Sequence, residues 1–123
     1  MKSTIAAVLL LFASASQAGH LDVIAFTLKA DCSFGEYLEI MDEFNEWGEA
    51  YGYQAEIAQP TFNDDMATHY WLGRSANGEV FGKAYDAWVA AQGDPDSVPA
   101  ALNARIGECW ASNESRSAYL TFP

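Results

Sequence analysis

Apolar and polar positions alternate with period two over residues 21–30, with Ile24, Phe26 and Leu28 on one side and Val23, Ala25 and Thr27 on the other, which predicts a first strand. From residue 33 the period changes. Ser33 followed by Glu36 has the form of a capping box, and Phe34, Tyr37, Leu38, Met41, Phe44, Gly48 and Tyr51 then recur at threes and fours until Gly52, which predicts a helix. Residues 53–59 alternate again and stop at Pro60. A polar loop over 61–67 contains Asn63-Asp64-Asp65, and residues 68–74 form a third strand. Asn77-Gly78 opens a second helix, in which Val80, Phe81, Ala84, Tyr85, Trp88 and Ala91 keep the helical period up to Gly93. A turn-rich linker over 94–98 leads through Ser97 and Pro99 into a short helix ending at Gly107. Residues 109–112 read as extended, and residues 117–122 as the last strand.

The order β-α-β-β-α-β with a helical insert before the last strand is the split βαβ, or ferredoxin-like, arrangement of an α+β domain: an antiparallel sheet with two helices on one face. Right-handed crossovers give the spatial order 4-1-3-2. The end of the first strand then lies beside the start of the last, bringing Cys32 and Cys109 to one edge. The face carrying Ile24, Phe26, Leu28, Leu120 and Phe122 is expected under the helices. By parity the open face carries Val23, Ala25, Thr27, Gln54, Glu56, His69, Trp71, Tyr119 and Thr121.

Composition agrees with one small folded domain. The 123 residues are half hydrophobic and include 17 aromatics, enough apolar surface to offset chain entropy but too few residues for two cores. Seventeen acids against six bases give a formal charge of −11, which excludes a nucleic-acid partner because phosphate neutralisation needs Lys and Arg. Residues 1–18 read as a secretory signal peptide, with Lys2, an apolar run over 5–13 and small residues at Ser16 and Ala18. The run falls well short of the roughly 20 residues of a membrane span. Residues 19–123 are therefore expected as a single exported domain, periplasmic or extracellular, without membrane insertion after cleavage. In that compartment Cys32 and Cys109 are expected to form a disulfide.

With this element order over residues 21–122 and a helix of the kind at 78–92, the chain resembles the dimeric α+β barrel superfamily, which includes antibiotic-biosynthesis monooxygenase-like and NIPSNAP-like families. The resemblance implies a homodimer in which two open sheet faces pack together. It implies no single activity, since members range from cofactor-free oxygenases to haem degraders, dismutases and cyclases. A haem role would ask for an axial histidine, and His69 and His20 are the two histidines available.

Several residues carry candidate chemistry. Glu56 and His69, on the two arms of one hairpin, are either an acid–base pair in an apolar cavity or an edge-strand charge beside a hydrogen-bonded histidine. Trp71, Tyr119, Thr27 and Gln54 are the expected ligand-binding residues around them. Asp64, Asp65 and His69 match no metal-ligand spacing and are read as turn chemistry, so neither metal nor cofactor is expected. Arg74 and Arg105 are read as ion-pair partners of nearby acids, and Tyr85 and Trp88 as core. The first helix carries six acids without a base, a solvated face or a docking surface for a basic partner. Asn113-Glu114-Ser115 matches a glycosylation sequon. The expected function is binding of a small apolar or aromatic ligand between sheets, or a structural or interaction role. The alternative is a cofactor-independent monooxygenase- or cyclase-like enzyme using His69 and Glu56.

Overall fold

In the computed structural model, residues 18–123 are described; the expected signal segment lies outside them except for Ala18. Strand β1 (Gly19–Leu28) is followed by helix α1 (Phe34–Glu49), strands β2 (Gln54–Ala58) and β3 (His69–Ser75), helices α2 (Gly78–Ala91) and α3 (Val98–Cys109), and strand β4 (Trp110–Thr121). The four strands form one antiparallel sheet in the order β2-β3-β1-β4, the ferredoxin-like arrangement anticipated from the element order.

Local chemistry accounts for the helix starts. The Ser33 hydroxyl accepts from Glu36 N–H while the Glu36 carboxylate accepts from Ser33 N–H, closing the capping box of α1. The backbone and hydroxyl donors of Ser33 hold the exposed Glu36 carboxyl below the usual carboxylate range. Asn77 caps α2 through Val80 N–H, and Ser97 caps α3 through Ala100 N–H with Pro99 in its first turn. Gly52 ends the α1 turn at φ 68°, a left-handed conformation that L side chains rarely adopt.

The core lies between the sheet and the helices. Phe26 and Tyr37 are fully buried against one another, and the Tyr37 hydroxyl accepts from the Trp110 indole N–H. Burying each such aromatic contributes about 2–3 kcal/mol. Ile40, Met41, Phe44, Leu102 and Ile106 extend the cluster, so the short helix expected before the last strand completes the helical layer as α3. The Asn45 side chain accepts from Ala55 N–H and donates to Ala55 C=O, both at 2.8 Å, fastening α1 to edge strand β2. Cys32 and Cys109 are disulfide-bonded with Cα atoms 5.2 Å apart. Their separation of 77 residues restricts the unfolded chain by about 4 kcal/mol in the chain-entropy picture.

Two strands differ from expectation. β4 runs over Trp110–Thr121 as one strand, joining the stretches expected separately at 109–112 and 117–122, because β1 supplies its backbone partners and polar side chains cost little on an edge strand. The β2–β3 register places His69 and Trp71 under the helices, not on the open face. Ile57 pairs with Trp71 and Glu56 with Leu72, so the side of β3 shared with Glu56 carries Tyr70, Leu72 and Arg74. The long polar loop between these strands does not set their register. Burying the Trp71 and His69 rings against Phe44, Phe26 and Phe34 does.

Candidate functional site

The residues singled out on the sequence are dispersed by this register. His69 is 8% exposed and its ring lies against Phe26 and Phe34. Its Nδ1 is 3.0 Å from the Ala67 carbonyl, an acceptor, so this nitrogen carries the proton and donates. Nε2 is buried without a partner among the described residues. Glu56 lies on the other side of the sheet and pairs with Arg74 at 3.1 Å. The two do not form an acid–base pair in this structure. Thr27 meets the Ser112 hydroxyl at 2.6 Å on the open face, Gln54 donates to the backbone carbonyls of Asn45 and Tyr53, and Tyr119 is exposed. Thr27, Gln54, Tyr119 and Trp71 therefore converge on no common point. Asp65 accepts from Ala67 N–H, Thr68 N–H and the Thr68 hydroxyl, and these donors, the hydroxyl first, hold its carboxyl below the usual range. That is turn chemistry, as read from the Asn-Asp-Asp sequence. Arg105 pairs with Glu43 at 2.7 Å.

A different site is assembled on the helix side of the sheet. A cavity of about 340 Å³ lies between β1, β3 and β4 below and α1, α2 and α3 above, and it opens to solvent. Trp47, Trp71, Trp88 and Trp110, the four tryptophans of the chain, all line it. Phe44 packs edge-on to Trp71 and Trp88, and Phe81 and Tyr85 form the α2 wall. Tyr85 and Val89 are partly exposed at the mouth, so Tyr85 belongs to the cavity entrance and not to the sealed core.

The floor of this cavity is polar and internally bonded. Asp22, 1% exposed, receives Arg116 Nε–H on Oδ1 at 3.1 Å and Arg116 Nη2–H on Oδ2 at 2.8 Å. The Tyr53 hydroxyl donates to Asp22 Oδ2 at 3.2 Å and accepts from the Trp71 indole N–H at 2.7 Å. Burial, then the nearby Asp22 charge, pushes the Tyr53 phenol well above its ordinary pKa, so it stays a neutral donor. The Asp22 hydrogen bonds raise the pKa of the Arg116 guanidinium, which also lies 5.2 Å from the Tyr85 ring centroid.

Two backbone features bring these groups together. Register shifts in the β1–β4 ladder, between Ala25 and Phe26 and between Thr27 and Leu28, leave Trp110, Asn113 and Arg116 opposite Leu28, Phe26 and Ile24. Two bulges thus turn an alternation of two into a spacing of three, and all three side chains reach the cavity. Gly73 pairs with Asp22, and a Cβ there would overlap the Tyr53 hydroxyl; its absence lets the phenol cross β3 to reach β1. Asp22 had a sequence signal, since it shares the parity of Ile24, Phe26 and Leu28. Arg116 and Tyr53 had none, because bulges and a glycine gap do not appear in periodicity.

No known protein family matches the sequence, and no curated protein is similar to it. Solved structures share its fold. The Arabidopsis thaliana protein At3g17210 aligns over 86% of this chain and 94% of its own at 7% identity with a TM-score of 0.54. A conserved protein of unknown function from Bacteroides thetaiotaomicron, described as a possible oxidoreductase, aligns over 86% of this chain and 99% of its own at 12% identity and 0.51. A dimeric ferredoxin-like protein of unknown function from Bacteroides fragilis covers 82% of this chain and 92% of its own at 16% identity and 0.42. The two likenesses with TM-scores above 0.5 show a shared fold and no activity.

Proposed function

We propose that the chain is an exported, homodimeric domain that binds a small planar, largely apolar ligand in the cavity between its own sheet and α2. The observation that carries this reading is the cavity itself: about 340 Å³ walled by aromatic rings, with one bonded polar cluster at its floor. Apolar walls with few converging polar groups are the general form of small-ligand sites. Export is supported by the disulfide and by β1 starting at Gly19, directly after the expected cleavage point. The site lies within one protomer, on the side of the sheet opposite the face through which a homodimer is expected to form. Ligand binding and dimerisation are therefore separable. The open face offers Tyr70 and Tyr119 for the dimer contact.

Binding is tested with N-phenyl-1-naphthylamine, a neutral probe that fluoresces in apolar cavities and accepts excitation energy from tryptophan. Saturable enhancement at one probe per chain is expected, with quenching of the tryptophan emission, and Val89→Trp at the mouth should weaken it at least tenfold. Absence of saturable binding, or binding untouched by Val89→Trp, refutes the cavity reading. Light scattering tests the dimer separately, and a monomeric mass rejects it.

A further inference from the structure

Resting on the cavity reading above, we propose that Arg116 is the polar anchor of the site and that it selects an uncharged planar ligand carrying an acceptor oxygen, an aryl carbonyl.

The hydrogen-bond census of the floor leads there. Asp22 is closed off beneath Arg116 and Tyr53, and its two oxygens receive three hydrogen bonds. The Tyr53 oxygen donates to Asp22 and accepts from Trp71, and the Trp110 N–H is used by Tyr37. Arg116 has five N–H groups, of which Nε–H and one on Nη2 are spent on Asp22. Its three remaining N–H groups make no hydrogen bond among the described residues, although the side chain lines the cavity. The free groups of the floor are thus mainly donors, to which the Asn113 amide adds one acceptor oxygen. A ligand oxygen that accepts is therefore the match for the free Arg116 N–H groups, and a ligand N–H is accommodated only where it faces the open mouth, away from the guanidinium.

Charge narrows the class. The Arg116 guanidinium is already compensated by the Asp22 carboxylate, at 2.8 Å, and the chain as a whole carries −11. A second carboxylate on Arg116 would meet no uncompensated cation and would add to that excess, while a carbonyl oxygen takes the same N–H groups at no such cost. The two hydrogen bonds to Asp22 orient the guanidinium, whose carbon lies 5.2 Å from the Tyr85 ring centroid, and this reduces the ordering needed when the ligand arrives.

The experiment uses the disulfide-bonded chain and two probes of equal shape, 2-acetonaphthone and 2-isopropenylnaphthalene, which differ by C=O against C=CH₂, with 2-naphthoate as the charged third. Affinities are read by calorimetry. The ketone is expected to bind about tenfold more tightly than the alkene, the scale of one hydrogen bond to a charged donor, and the carboxylate less tightly than the ketone. Arg116→Lys keeps a cation for Asp22 but loses the planar fork, so it should bring the ratio of ketone to alkene affinity close to one. The double variant Asp22→Asn with Arg116→Gln serves the same purpose should Arg116→Lys fail to fold. Equal binding of ketone and alkene, a preference that survives in a folded variant, or tighter binding of the carboxylate overturns the proposal while the cavity reading stands. Failure of all three probes removes both.

Discussion

Asp22 on β1 and Arg116 on β4 meet through two hydrogen bonds of 3.1 and 2.8 Å, with the carboxylate 1% exposed and the guanidinium half in solvent. This asymmetry in burial makes the two residues unequal in stability. Arg116→Met strands a buried carboxylate and should cost about 3–5 kcal/mol, the range for breaking a buried pair from one side. Asp22→Asn leaves an arginine that can turn to water and should cost about 1–2 kcal/mol. Urea denaturation of both variants checks the order. Equal losses would mean that Asp22 is hydrated in solution.

Gly73 and Gly82 make a second contrast. Gly73→Ala places a Cβ on the Tyr53 hydroxyl and should cost at least about 2 kcal/mol by overpacking. Gly82 lies inside α2, and a Cβ there would meet no atom within 4 Å, so Gly82→Ala should stabilise by about 0.5–1 kcal/mol through helix propensity. Thermal melts of the two variants should move in opposite directions. A tolerated Gly73→Ala would remove the reason given for the Tyr53 crossing.

Alkali should unfold the protein through Tyr37 and Tyr53. Burial raises both phenol pKa values above the ordinary 10, so above pH 10 the unfolded chain releases protons that the folded chain keeps. Stability from these groups is fully present below pH 10 and declines as pH rises beyond it, by about 1.4 kcal/mol per pH unit per tyrosine. Denaturant midpoints between pH 9 and 11 measure the slope. Tyr37→Phe should reduce it by roughly half of the two-tyrosine contribution, or about 1.4 kcal/mol per unit.

His69 separates the sequence reading from the structural one. Its ring lies against Phe26 and Phe34 and it is absent from the cavity wall. His69→Ala should cost about 2 kcal/mol of stability as a cavity-forming change, with N-phenyl-1-naphthylamine affinity unchanged within about twofold. Loss of binding by a folded variant would return His69 to the site.

Period-two and helical periodicity in the sequence determined the seven elements, their order and the sheet topology, because core burial acts on each segment's own pattern. The same patterns placed Ile24 and Phe26 under the helices and Cys32 beside Cys109. Arg74 and Arg105 were also legible as ion-pair partners, since acids so outnumber bases here. The candidate site was decided by tertiary structure alone. A free register in β2–β3 moved Trp71 and His69 to the helix side, two bulges in β4 delivered Asn113 and Arg116, and an absent side chain at Gly73 admitted Tyr53. Each depends on what lies across a strand pair, and the energy of burying aromatic rings, distributed over residues far apart in sequence, settles it.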